Sequence, residues 1–148
     1  MNIELKSTGF LIDEWITSDL KVKHIGTEET LSRHLLLDNV VRKRLNNKDL
    51  IEYNEAVKNG LVNLVVQLRD TLTKCWDAQD RVMIGAETIR ILQEKSYQYQ
   101  ADSLDEYRDV AMSAIEAQNL NAQRNRLIRQ IDKLLGESEF TQLEKSYG

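Results

Sequence analysis

Apolar residues recur along this chain at spacings of three and four, the period that gathers side chains on one face of an α-helix. In "STGFLIDEWITSDLKVKHIG", Leu11, Trp15, Ser18 and Val22 form one stripe, with Ile12, Ile16 and Leu20 beside it. Ser7 or Thr8 is placed to cap this helix and Gly26 to end it. A second helix begins at Thr27. It has Glu28 and Glu29 in its first turn, Leu31, Leu35, Val41 and Leu45 on its apolar side, and Lys43 and Arg44 near the end where the dipole favours cations. The segment "LNNKD" is the next break, with Asn46 or Asn47 as the following cap.

From Lys48 the pattern stays helical to about Met83. Leu61, Val65, Leu68, Leu72, Cys75, Gln79 and Val82 trace a seam like that of a helix packed lengthwise against others, and Gly60 weakens it locally. Gly85 is expected to end this helix, with a shorter one over 86–97 and then a loop. Ser103 and Glu106 make a capping box for a final helix from Leu104 to about Leu135, closed by Gly136. "NIELK" alternates as a short strand or an extended arm would, and 137–148 is a tail. The pattern predicts an all-α protein in one domain, 1–148. It is a bundle of four or five helices on a long antiparallel helical hairpin, with 1–6 as the extended arm.

Composition supports this. The chain has 148 residues, 41% hydrophobic, 30% charged and only 6% aromatic, and it has no proline to interrupt a helix. A single cysteine allows neither an internal disulfide nor a cysteine zinc cage, which makes the cytoplasm the default location. No apolar run approaches the roughly 20 residues of a membrane span, and Met1 to Lys6 lack a secretion signal. A net charge of −4 disfavours nucleic acid as a partner.

Polar residues interrupt the apolar stripes in two places. In the final helix Leu104, Tyr107, Ala111, Ala114, Gln118, Asn121, Asn125, Ile128, Asp132 and Leu135 follow the four-and-three spacing, so the middle of that seam is polar. Arg124 sits on the neighbouring stripe of Leu120, Leu127, Ile131 and Leu134. In the preceding long helix Gln79 lies on the seam, with Trp76, Asp80 and Met83 adjoining. If the helices run antiparallel these gaps meet, and Asp80 or Asp77 is expected to pair with Arg124 while Gln79, Asn121 and Asn125 satisfy the remaining groups. Asp13 of the first helix is a further candidate member. The network either fixes helix register or lines a cleft for a small polar ligand; register is the preferred reading.

Other candidate chemistry is weaker. Trp76 reads as a large core residue before a stacking platform, and Cys75, on the seam and without a nearby histidine, as a buried inert thiol. His24 and His34 lack metal-ligand spacing. Glu52 and Glu55 resemble the carboxylate pair that helical pyrophosphohydrolases use for magnesium, but a facing acidic pair is not evident. Arg126, Arg129 and Lys133 share a face that would attract phosphate, diluted by Asp132 and Glu137. No metal, cofactor or catalytic residue is expected.

The segments "GFLID", "CWDAQD" and "NAQR" occur in an order that resembles a family of small, uncharacterised bacterial all-helical proteins, a domain of unknown function. Gly9, Leu11, Ile12 and Asp13 match its first motif, Trp76 and Asp80 its second, and Asn121 and Arg124 its third. Trp15 and Cys75 lie outside the pattern, and 31–59 carries no match. The resemblance implies a helical fold and no particular reaction. The expectation is therefore a non-enzymatic helical interaction protein, self-associating as a homodimer or binding a protein partner. The alternative is a small-ligand or enzyme site around Asp80 and Arg124.

Overall fold

Local hydrogen bonds start and stop the helices where short polar residues and glycines allow. The computed structural model describes residues 6–46, 54–95 and 104–137. They form four helices and no strand: α1 (Thr8–His24), α2 (Glu28–Asn46), α3 (Glu55–Lys95) and α4 (Leu104–Leu134). The fold is all-α, as the periodicity predicts. Ser7 Oγ caps α1 by accepting from the Phe10 N–H at 3.2 Å, and Thr27 Oγ1 caps α2 by accepting from the Thr30 N–H at 3.2 Å. Asn54 Oδ1 caps α3 by accepting from Ala56 and Val57 at 3.1 and 3.3 Å. Gly26 and Gly136 have φ of 69° and 73°, a left-handed conformation that only glycine adopts without strain. At Gly136 the Glu137 N–H donates to the Asp132 carbonyl at 2.6 Å and the Gly136 N–H to that of Lys133 at 3.2 Å, a Schellman closure. Residues 1–5 of the expected arm, the break and cap at 47–53, the loop and capping serine at 96–103, and 138–148 of the tail lie outside the described residues.

The expectation that Gly85 ends a helix is overturned: α3 runs unbroken through it to Lys95. A helical glycine costs only about 1 kcal/mol, which packing easily offsets. Here the missing side chain is what permits the packing. A Cβ on Gly85 would overlap Val110 Cγ2 of α4, so the glycine lets the two helices approach.

The expected seams hold in part: Leu61, Leu68, Leu72 and Cys75 of α3 and Ile128 and Asp132 of α4 are buried as the spacing predicts, and the departures fall at particular residues. On α3, Leu61, Leu68, Cys75 and Ile89 are buried and Val82 half-buried, all in one heptad position, with Thr71 and Ala78 buried and Gly85 and Leu92 half-buried in the next. After Cys75 the seam therefore steps by three to Ala78, leaving Gln79 exposed. On α4 the inward stripe is Glu106, Val110, Ser113, Ala117, Leu120, Arg124, Leu127 and Ile131, while Tyr107, Ala111, Gln118 and Asn125 are exposed. On α2, Leu37 and Val41 are buried, whereas Leu31 and Leu35 are exposed.

The chain divides into two compact units, 1–70 with 124–148, and 71–123. In the first, α1 packs along α2 and on the flanking parts of α3 and α4. Its core is Leu11, Ile12, Ile16, Leu37, Leu68, Ile128 and Ile131, each almost wholly removed from water. In the second, α3 and α4 form an antiparallel hairpin: Arg81 pairs with Glu116 at 2.8 Å, Gly85 meets Val110, and the Gln93 amide donates to the Tyr107 hydroxyl.

Candidate functional site

In the first unit the N-terminus of α1 is docked on two buried carboxylates. This helix has no acidic residue in its first turn to offset its dipole. The end of α4 supplies the charge instead. The Gly9 N–H donates to Asp132 Oδ1 at 2.8 Å, and the Thr8 N–H to Glu137 Oε1 at 3.3 Å, both buried. Arg44 of α2 steadies this junction, with its Nη1 3.7 Å from Glu137 Oε1 and donating to the Lys6 carbonyl at 2.9 Å. Asp132 and Glu137 thus do not dilute a basic surface, as the sequence suggests, but lie buried beneath α1.

One turn further along α1, Asp13 meets Arg124. The guanidinium donates from Nε to Oδ1 at 2.6 Å and from Nη2 to Oδ2 at 2.5 Å, a two-pronged pair. The Asp13 side chain is only 3% exposed and that of Arg124 34%. The carboxylate that takes this fork is therefore Asp13, in place of the expected Asp80 or Asp77. Among the other anticipated members, Asp80, Asp77, Gln79 and Asn125 are exposed, and Trp76 and Asn121 are half-buried. Arg124, Asn125 and Asp13 fall in the first unit, whereas Trp76, Gln79, Asp80 and Asn121 fall in the second.

Beside the pair a cleft of about 190 Å³ opens, lined by Glu14, Thr17, Lys21, Arg33, Leu37 and Arg124, with Ser18 also on its wall. Glu14 accepts from Lys6 on one side and from Arg33 at 3.4 Å on the other. Ser18 Oγ donates to the Trp15 carbonyl at 2.6 Å and lies 2.8 Å from His34 Nδ1, and the His34 ring stacks on Trp15 with centroids 6.4 Å apart. His34 is accordingly a packed residue, not a surface one.

Asp19 ties α1 to α3 through Arg69 at 2.6 Å and takes Lys23 at 3.3 Å. Burial pushes its carboxyl up, but the hydrogen bonds and charges of Arg69 and Lys23 together outweigh it and hold the pKa below the ordinary value. A folded-state pKa below the unfolded one adds stability above the unfolded carboxylate range, and that stability is lost as pH falls through the lowered folded value. Asp19→Asn is thus expected to lower the urea midpoint at pH 7, and the gap from wild type to shrink below about pH 4. An undiminished gap at pH 3 would show that Asp19 acts by packing alone.

Cys75 is buried, as its seam position predicts. Among the described residues no group of three or more His, Cys, Asp or Glu side chains is placed to hold a metal. No helix among them is long and apolar enough to cross a membrane. Arg126, Arg129, Gln130 and Lys133 line a shallow groove along α4. No known protein family, curated protein or solved structure matches the chain.

Proposed function

We propose that the chain is a non-enzymatic helical interaction module that self-associates through its hairpin unit. The carrying observation is the apolar surface on both arms of that hairpin: Met83 and Ile84 of α3 are 71% and 67% exposed, and Met112 and Ile115 of α4 59% and 57%. The inward stripes of the hairpin mix small residues, Ala78, Gly85, Ser113 and Ala117, with Val82, Ile89, Val110 and Leu120. Two helices alone cover only one face of each other, so the outward Met and Ile side chains favour a second hairpin as cover. A second copy fits by symmetry, since two antiparallel hairpins stacked face to face make a four-helix bundle with a self-complementary interface. A cytoplasmic site of action accords with a single cysteine, which leaves no internal disulfide to form.

Sedimentation equilibrium across micromolar concentrations tests this reading. The expected result is a dimer that the double substitution Ile84→Lys, Met112→Lys converts to a monomer of unchanged helix content. A wild-type monomer throughout that range would overturn it. The second reading, a ligand site, rests on a separate observation, the cleft beside Asp13 and Arg124.

A further inference from the structure

That cleft carries more positive charge than its carboxylates absorb. Two carboxylates, Asp13 and Glu14, stand against four cations, Lys6, Lys21, Arg33 and Arg124. Asp13 is committed to Arg124, and Glu14 is shared between Lys6 and Arg33. The nearby Asp19 is already engaged by Arg69 and Lys23. Lys21 has no carboxylate partner among the described residues, and the contact of Arg33 with Glu14 is long for a charged hydrogen bond. Two positive charges are left in excess at one small concavity of a chain whose net charge is −4.

Leu37, almost wholly buried, supplies an apolar wall that keeps water off one side and strengthens the field of the cations. At about 190 Å³ the space is below the roughly 300–1,000 Å³ of pockets for drug-sized ligands, which limits the occupant to a few heavy atoms.

We propose that the cleft on α1 beside Lys21 and Arg33 binds a small oxyanion of the phosphate class, either free phosphate or the phosphate end of a small monoester. Lysine and arginine supply the charge and the N–H donors whose hydrogen bonds phosphate oxygens accept. The Asp13 fork holds the Arg124 guanidinium at the edge of the cleft, so this cation is positioned before any ligand arrives. The site lies in the first unit and is independent of self-association through the hairpin.

Titration calorimetry of the full chain with inorganic phosphate, at ionic strength held constant with chloride, tests the proposal. One saturable site per chain is expected, weakened about tenfold by Lys21→Met and again by Arg33→Met, and unaffected by Lys43→Met on the exposed surface of α2. Circular dichroism confirms that the variants fold, since Lys21 and Arg33 are exposed. A parallel titration with glycerol phosphate separates the two sources: tighter binding than phosphate assigns a monoester, and equal or weaker binding assigns the free ion. Absence of saturation by about 10 mM of either ligand overturns the proposal. So does binding that Lys21→Met and Arg33→Met leave unchanged.

Discussion

Gly9→Ala is expected to destabilise the protein by about 3–4 kcal/mol, near the upper end of what overpacking a single site costs. A Cβ built on Gly9 would lie 2.6 Å from Asp132 Oδ1 and 2.7 Å from the Ile128 carbonyl oxygen. Neither atom yields easily. The carbonyl belongs to the backbone of α4, and Asp132 is fully buried while accepting from the Gly9 N–H. Moving α1 away relieves the overlap only by stretching that hydrogen bond and the companion bond from Thr8 to Glu137, which exposes helix N–H groups that the carboxylates satisfy. Gly60→Ala is the matched control. Its Cβ would meet only the flexible end of Leu134, at 3.4 Å, so the gain in helix propensity dominates and the variant is expected to be more stable by about 0.5–1 kcal/mol. Urea midpoints for the two variants test both signs. A Gly9→Ala loss no larger than 1 kcal/mol would mean that the α1–α4 junction is looser than its geometry shows.

That junction marks the limit of local sequence reading. Helix existence and the caps at Ser7, Thr27, Gly26 and Gly136 were legible, because each depends on residues within a few positions of one another. The pairing of Gly9 with Asp132 spans most of the chain, and the two residues carry no local sign of it. A helix N-terminus lacking acids in its first turn, together with two acids at the close of a distant helix, was the available signal. Glu137 in particular reads as part of a polar tail, since its burial depends entirely on α1 being laid across it.

The departures along the seams have a simpler cause. A heptad stripe admits either three or four residues for each step, so spacing alone leaves two candidates at each turn. From Cys75 the step of four reaches Gln79 and the step of three reaches Ala78, and the helix buries the alanine because a close antiparallel partner has room only for a small residue. On α4 the same ambiguity placed Gln118 and Asn125 inside when they face water, whereas Ile128, Asp132 and Leu135 of the expected seam are buried. Gly85 belongs to the same pattern: it is a close-packing residue in mid-helix, and its space is filled by Val110. Arg124 and Asp13 were both legible as polar residues on apolar stripes, but choosing Asp13 over Asp80 as the partner required knowing which helix lies against α4.

Arg124→Met is expected to cost about 3–5 kcal/mol, whereas Asp13→Asn is expected to cost only about 1–2 kcal/mol. The asymmetry follows from burial. Removing the arginine strands a carboxylate that is 3% exposed and that receives its two guanidinium N–H bonds from Arg124 alone. Removing the carboxylate charge leaves an arginine that is 34% exposed and able to turn its guanidinium toward water, so little of its solvation is lost. The double variant Asp13→Asn, Arg124→Met should then be more stable than Arg124→Met alone, because the second change takes away the stranded charge. Equilibrium unfolding of the four proteins gives the coupling energy directly. Against a total stability of roughly 5–15 kcal/mol for a domain of ordinary size, the arginine variant is expected to be substantially weakened and the asparagine variant readily folded. Equal, small losses from the two single variants would place the pair with exposed ion pairs, and the register of α1 on α4 would have to rest on the Gly9–Asp132 contact and the apolar core instead.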